Sequence, residues 1–284
     1  MIRVILRYGD GIGERAWLQT VVRHVQEGLS QAGHRIGVDG KFGSDTEAVV
    51  RDFQEATSLG KTGLVDHPMW EALSPYLESK LGERERLIAT LLPAFHGDPE
   101  WVHEQEGHRG SPYWPGGKSG VTLDPGVDLG NADPKLVERL YAPLLLPEQK
   151  RALTQVLGMT GERAKQALAD DPILRGIRIS SDQADAIMPY AAQPYWHGIS
   201  ERFSSLKAPT TPAAVQTVFL SLAYNRGAQN RDFDSLRDPL SKSNWTSVAN
   251  EIGRMQQDHE LDGIRLRRRL EAALVLLELD YLRA

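Results

Sequence analysis

Residues 111–134 interleave glycine and proline with two short β-type runs, 119–123 and 127–129, whereas three- and four-residue apolar spacing dominates the rest of the chain. This interruption constrains the fold more than any other feature. It predicts one small β-hairpin set into an otherwise helical chain, so the expected class is mainly α with a small α+β region. At 284 residues the chain exceeds the usual size of a single core, and two domains of unequal size are expected.

The helical stretches can be placed by their punctuation. Residues 14–32 set Trp17, Leu18, Val21, Val22, Val25 and Leu29 on one face and stop at Gly33. Ser44 can cap a helix running through Ala48, Val49 and Phe53. Asp66, with Pro68 two residues on, starts a third short helix through Met69, Trp70 and Leu73. Residues 76–92 are charged and helical in pattern and read as a linker helix, with Pro93 and Pro99 as breakers. The last helix is basic over Arg265, Arg267, Arg268 and Arg269, read as a solvated or salt-bridged face, and turns strongly apolar afterwards.

Composition removes several classes of chemistry. Cysteine is absent, which excludes disulfides, thiolate metal sites and cysteine nucleophiles. A net charge of -5 gives no basic field for nucleic acid or an anionic membrane, so neither is an expected partner. The N-terminal apolar run is broken by Arg3 and Arg7 and does not read as a signal peptide. Any export is expected to use another route. No segment reaches the roughly 20 apolar residues of a membrane span, so no membrane insertion is expected.

The string VDGKFGSDTEAVVRDFQEATSLGKTGLVDHPMWEAL resembles the type 1 peptidoglycan-binding domain, through Val38, Asp39, Gly40, Phe42, Gly43, Thr46, Phe53, Gln54, Thr62, Gly63, Val65, Asp66, Trp70 and Leu73. Tight turns, a small aromatic core and capped helix starts account for part of this pattern. The resemblance implies a three-helix domain over 1–76 with a groove for the peptidoglycan stem peptide, and Asp39, Phe42, Thr46 and Gln54 as its binding residues.

The string EQEGHRGSPYWPGGKSGVTLDPGVDLGNAD resembles the catalytic segment of phage-type lysozymes and, more closely, pesticin-like muramidases. In these a helix ends in E-G, a Tyr follows, and a hairpin carries a Thr and an Asp. The matching residues are Glu106-Gly107, Tyr113, Thr122 and Asp128, and the resemblance implies Glu106, Thr122 and Asp128 as the catalytic set. Further on, VFLSLAYNRGA resembles the lysozyme helix ending S-x-x-(Y/F)-N-x-G, and it suggests Asn225 and Arg226 beside Tyr113 as substrate-binding residues. Weaker matches are ISSDQADAIM, with Ser180 or Ser181 as helix cap, and the C-terminal NWTSVANEI and GIRLRRRLEAALVL. The implied organisation is a binding domain over 1–76, a linker helix over 77–94 and a lysozyme-like domain over 95–284. Its implied reaction is cleavage of the β-1,4 bond between N-acetylmuramic acid and N-acetylglucosamine, with bacterial peptidoglycan as partner.

The residues carry this chemistry on their own terms. Glycosidic cleavage needs one protonated carboxyl to donate to the leaving oxygen and a second polar or carboxylate group on the opposite face. A Glu at a helix C-terminus near Tyr113 and Trp114 is expected to hold its proton, through the helix dipole and partial burial. Thr122 and Asp128 are six residues apart and share a face only if the strand stays regular, while Pro125-Gly126 suggests a turn between them. Asp124 is therefore a rival second carboxylate. Glu104 is a rival acid, but on a helix it would point about 200° away from Glu106.

The reaction needs no metal or organic cofactor, and a monomer is expected. A zinc amidase is disfavoured although His96, His103, Glu104 and His108 cluster in sequence, because H-E-x-x-H needs a second histidine at Gly107 and His108 lies five residues after His103. No G-x-S-x-G marks a serine hydrolase. A secreted antibacterial effector, a lytic transglycosylase and a non-catalytic wall-binding protein remain as alternatives.

Overall fold

The computed structural model describes residues 1–284, apart from the side chains of residues 79–81. A 3-10 turn, Gly13–Leu18, leads into α1 (Gln19–Gln31), α2 (Ser44–Ala56), α3 (His67–Leu91) and α4 (Pro99–Glu106). The hairpin strands β1 (Thr122–Leu123) and β2 (Val127–Asp128) follow, then α5 (Pro134–Tyr141), α6 (Pro147–Gln155), α7 (Gly161–Asp170), α8 (Pro172–Arg175) and α9 (Ser181–Arg202). The chain ends with α10 (Ala213–Arg226), α11 (Arg237–Ser241), α12 (Trp245–Arg254) and α13 (Asp262–Arg283). The described residues are thus mainly helical with one two-stranded antiparallel sheet, and no helix among them is long and apolar enough to cross a membrane.

Two compact units divide the chain: Met1–Val102 with Tyr195–Ala284, and His103–Pro194. In the first, Ile2, Val4 and Leu6 are fully buried with Val21, Val22, Val25 and Leu29 of α1, Val50 of α2 and Met69, Trp70 and Leu73 of α3. Each such side chain contributes about 1.5–3 kcal/mol by leaving water. Leu6 exchanges two backbone hydrogen bonds with Val65, at 3.1 and 2.9 Å, and the Trp70 indole N–H donates to the Val4 carbonyl at 2.8 Å. The apolar run at the N-terminus is core material.

The structure revises several sequence expectations. The short third helix and the linker helix are one continuous α3, capped by Asp66, whose carboxylate accepts from the Met69 amide at 3.2 Å. Pro75 removes one backbone donor without ending the helix, because the apolar face continues through buried Leu77 and Ile88. Gly43 caps α2, and Ser44 is its first residue with no capping bond. Ser180 is the cap of α9: its hydroxyl accepts from the Gln183 amide at 3.1 Å while the Gln183 side chain accepts from the Ser180 amide at 2.9 Å.

The basic start of α13 is salt-bridged, and two of its ion pairs lie in the interior. Arg268 is fully buried and Arg267 nearly so, and both reach the fully buried Glu271, at 3.1 and 3.4 Å. Ser221 of α10 donates to the same carboxylate at 2.6 Å. α10 is buried all round from Ala213 to Ala223, so the polar face of α13 meets a partner that excludes water, and the arginines pair internally. Arg265 pairs with Asp262, one turn back on the same helix, and Arg269 is the solvent-exposed member of the cluster.

Candidate active site

The site forms in the unit His103–Pro194. α4 ends at Glu106 because Gly107 takes φ +76°, a left-handed conformation that a side chain resists, and its amide donates back to the His103 and Glu104 carbonyls, both at 3.2 Å. The chain reverses there, leaving Glu106 half-buried at the helix end. Residues 108–110 then run against the hairpin turn, whose Asp124 carboxylate collects them. One oxygen, Oδ2, accepts from the Arg109 amide at 3.0 Å and the Gly110 amide at 2.5 Å, and lies 3.0 Å from His108 Nδ1.

The hairpin register answers the question of the six-residue spacing. Thr122 lies directly opposite Asp128, and Leu123 opposite Val127, so a three-residue turn of Asp124, Pro125 and Gly126 joins the strands. The Asp124-Pro125 peptide is cis, and Gly126 takes φ +106°. The Tyr141 hydroxyl pins this turn from beneath by donating to the Leu123 and Asp124 carbonyls at 3.1 and 2.8 Å; burial pushes its pKa well up.

On its other edge β1 pairs with Tyr113, whose amide and carbonyl bond those of Thr122 at 3.0 and 2.7 Å. Tyr113, Thr122 and Asp128 are therefore successive cross-strand neighbours. Directly opposed residues of antiparallel pairs project to the same face, about 4.5–5.5 Å apart at Cβ. Three of the residues singled out from sequence thus form one row.

Each member of the row is differently held. Asp128 Oδ1 accepts from the Gly120 and Gly130 amides, both at 2.9 Å, and Oδ2 from the Asn131 side chain at 2.8 Å. Side chains at 120 or 130 would destroy this cradle: a Cβ on Gly120 would lie 2.5 Å from Asp128 Oδ1 and 2.3 Å from the Gly130 nitrogen. Thr122 is 4% exposed, and its hydroxyl has no hydrogen-bond partner among the described residues. Tyr113 is half-buried beneath the Arg109 guanidinium, 4.0 Å from the ring centre. Its hydroxyl pKa is raised, chiefly by burial, against the Arg109 charge, with the charges of Asp124, Glu106 and Asp128 adding to the rise.

Asp124 is thereby separated from Asp128. It is 2% exposed, and its Oδ2 serves the 108–110 segment rather than the row. Asn225 and Arg226 belong to the other unit. Asn225 is exposed and accepts a long bond from Arg268, at 3.4 Å, while Arg226 pairs with Asp232 at 2.5 Å.

In the N-terminal module, Phe42, Thr46 and Gln54 are buried at 0, 3 and 1% exposure, leaving Asp39 the exposed member of that set. Thr46 donates to the Lys41 carbonyl at 3.0 Å, and Gln54 bridges Gly63, Leu64 and Thr62 at 2.9–3.0 Å. Gln26, which motif reading passes over, organises the whole loop: its side-chain carbonyl accepts from the Asp39 and Gly40 amides at 3.0 and 2.8 Å, and its NH2 reaches Asp39, Lys41 and Thr46.

Comparison with known families finds two matches. The profile of the pesticin family, described as a bacterial toxin homologue of phage lysozyme, matches residues 98–246, just over half of the chain. The chain belongs to that family. A second profile, of a peptidoglycan-binding domain, matches residues 19–73. A search of curated proteins finds no match. As a phage-lysozyme homologue carrying a peptidoglycan-binding domain, the chain is a peptidoglycan hydrolase in its general class, with peptidoglycan as its partner. The row of Tyr113, Thr122 and Asp128 and the helix end at Glu106 all fall inside the matched pesticin segment.

Proposed function

We propose that this protein is a muramidase, hydrolysing the β-1,4 bond between N-acetylmuramic acid and N-acetylglucosamine in bacterial peptidoglycan. Glu106 donates its proton to the glycosidic oxygen as the bond to the anomeric carbon breaks. Thr122 and Asp128 orient the group that attacks that carbon from the opposite face. The observation that carries this reading is the row itself: a buried Thr122 hydroxyl lacks an internal partner beside a carboxylate whose orientation three donors hold. Leaving a buried hydroxyl unsatisfied costs about 1–3 kcal/mol, a cost that a bound water or substrate hydroxyl removes. Purified peptidoglycan should clear on addition of the protein, and mass spectrometry should find muramic acid at the new reducing ends. Glu106→Gln should slow clearing by about 10²–10⁴-fold, as loss of a general acid does. Unchanged clearing in that variant, or fragments ending in free stem peptides or anhydromuramic acid, would reject the proposal.

A further inference from the structure

His103 and His108 fail the metal-ligand spacing of a helix, yet the fold reunites them. The left-handed Gly107 ends α4 between them and turns the chain back, so their rings meet edge to face, with centres 5.9 Å apart. Asp124 joins from the hairpin turn. One ligand atom from each of His103, His108 and Asp124 lies within 4.8 Å of the other two, and His108 Nδ1 is 3.0 Å from Asp124 Oδ2. Two ligands of one tetrahedral zinc ion sit about 3.3 Å apart, given bonds of about 2.0–2.1 Å. Binding draws these atoms together from within 4.8 Å, and His108, whose side chain is 32% exposed, has room to move.

The state of His103 is the second observation. Its ring is 3% exposed, and Nδ1 lies 2.7 Å from an oxygen of Asp185 on α9. A carboxylate there favours the tautomer with its proton on Nδ1 and its lone pair on Nε2. That atom is buried with no hydrogen-bond partner among the described residues. A carboxylate behind a histidine whose far nitrogen is bare is the arrangement that orients imidazoles on metals and raises their basicity.

We propose that His103 Nε2, His108 and Asp124 bind a divalent transition-metal ion, zinc by its donor set, with Asp185 orienting His103. Two imidazoles and one carboxylate suit a borderline cation, and they leave a fourth position for water. Because Glu106 lies between the two histidines in sequence, the ion staples the segment carrying the acid to the turn of the hairpin carrying Thr122 and Asp128. Glycosidic cleavage does not pass through it; the ion sets how firmly the acid is held. The other histidine and carboxylate cluster, His24 with Asp98 and Glu100, already holds a cation: the Arg84 guanidinium lies 3.3 and 2.8 Å from its two carboxylates.

The test is titration of tag-free, chelator-treated full-length protein with zinc sulfate by calorimetry, with melting temperature followed in parallel. One ion should bind per chain, with proton release, and the melting temperature should climb with the logarithm of free zinc. His108→Ala should weaken binding at least tenfold while leaving the zinc-free melting temperature nearly unchanged, since this side chain faces solvent. Asp185→Asn should weaken it by about 10–100-fold. Cobalt(II) added instead should give the intense visible bands of a four-coordinate site in wild type and lose them in His108→Ala. Absence of stoichiometric binding, equal affinity in His108→Ala, or loss of binding only on His24→Ala would overturn the proposal.

Discussion

Replacing Asp124 by alanine tests whether this carboxylate holds the fold or serves the proposed chemistry. The substitution strips acceptors from the Arg109 and Gly110 amides, which meet Oδ2 at 3.0 and 2.5 Å, and removes the contact with His108 Nδ1 at 3.0 Å. Hydrogen bonds to a charged group contribute about 1.5–3 kcal/mol each, and the lower figure suits these partly buried donors. The pair with solvent-facing His108 adds about 0–1 kcal/mol. Asp124→Ala should therefore destabilise the protein by about 3–4 kcal/mol and, with a urea m-value of about 2–3 kcal/mol/M, lower the unfolding midpoint by about 1–2 M. Asp124→Asn keeps one carbonyl oxygen and should fall between that variant and wild type. The measurement is urea unfolding of the full chain in chelator, alongside peptidoglycan clearing under native conditions. If Asp124 were the second catalytic carboxylate, Asp124→Asn would lose at least about 10²-fold in rate with its midpoint unmoved. That outcome would refute the division of labour drawn between Asp124 and Asp128.

Three further substitutions probe separate parts of the molecule. Thr122→Val keeps the shape and removes a buried hydroxyl that has no internal partner, so melting temperature should hold or rise slightly while the clearing rate falls by about 10²-fold; a falling melting temperature with an unchanged rate would make Thr122 a packing residue. Gln26→Ala leaves the Asp39 and Gly40 amides without their acceptor and should cost about 2–4 kcal/mol, with weaker sedimentation of the protein with insoluble peptidoglycan; full stability would show that the loop holds itself. Glu278 has its carboxyl pushed up to about 7 by burial, from an ordinary 4.5. Between those values the folded state keeps a proton that the unfolded state has lost, so stability falls as pH rises from 4.5 to 7, by about 3 kcal/mol in all. Glu278→Gln, which can still accept from the Ala214 amide, should flatten that fall and melt higher than wild type at pH 8 but not at pH 4.5.

Much of this was legible in the sequence, where the signal is local. Apolar spacing locates α1 and α2, the glycine- and proline-rich interval locates the hairpin, and the Glu106-Gly107 pair locates the end of α4. What could not be read depends on contacts distant in sequence or on register. Asp124 and Asp128 are four residues apart in one hairpin and chemically identical. They differ only in which backbone amides the fold presents, those of Arg109 and Gly110 for one and of Gly120 and Gly130 for the other. The row of Tyr113, Thr122 and Asp128 exists because the turn takes three residues; a slip of one would send Thr122 to the opposite face. Phe42, Thr46 and Gln54 are buried, so their place in the motif includes packing and loop hydrogen bonds that sequence alone does not separate from binding. Asp185 carries no local signal, since 82 residues separate it from His103.

Stability and chemistry are coupled at the point where α4 ends. The 107–110 segment reverses the chain after Glu106 and also satisfies the buried carboxylate of the hairpin turn, so one short stretch holds both the end of α4 and the turn between the strands that carry Thr122 and Asp128. A carboxylate is well suited to this junction, because a single Oδ2 accepts from two consecutive amides while the Tyr141 hydroxyl holds the backbone of the same turn. Loosening these contacts is expected to shift Glu106 relative to the row before the helices unfold. Since displacements of about 1 Å at a reacting centre cost about 10²-fold in rate, variants in this segment should lose activity at denaturant concentrations where the helices remain intact. Variants in the apolar face of α1 or α3 should lose structure and activity together.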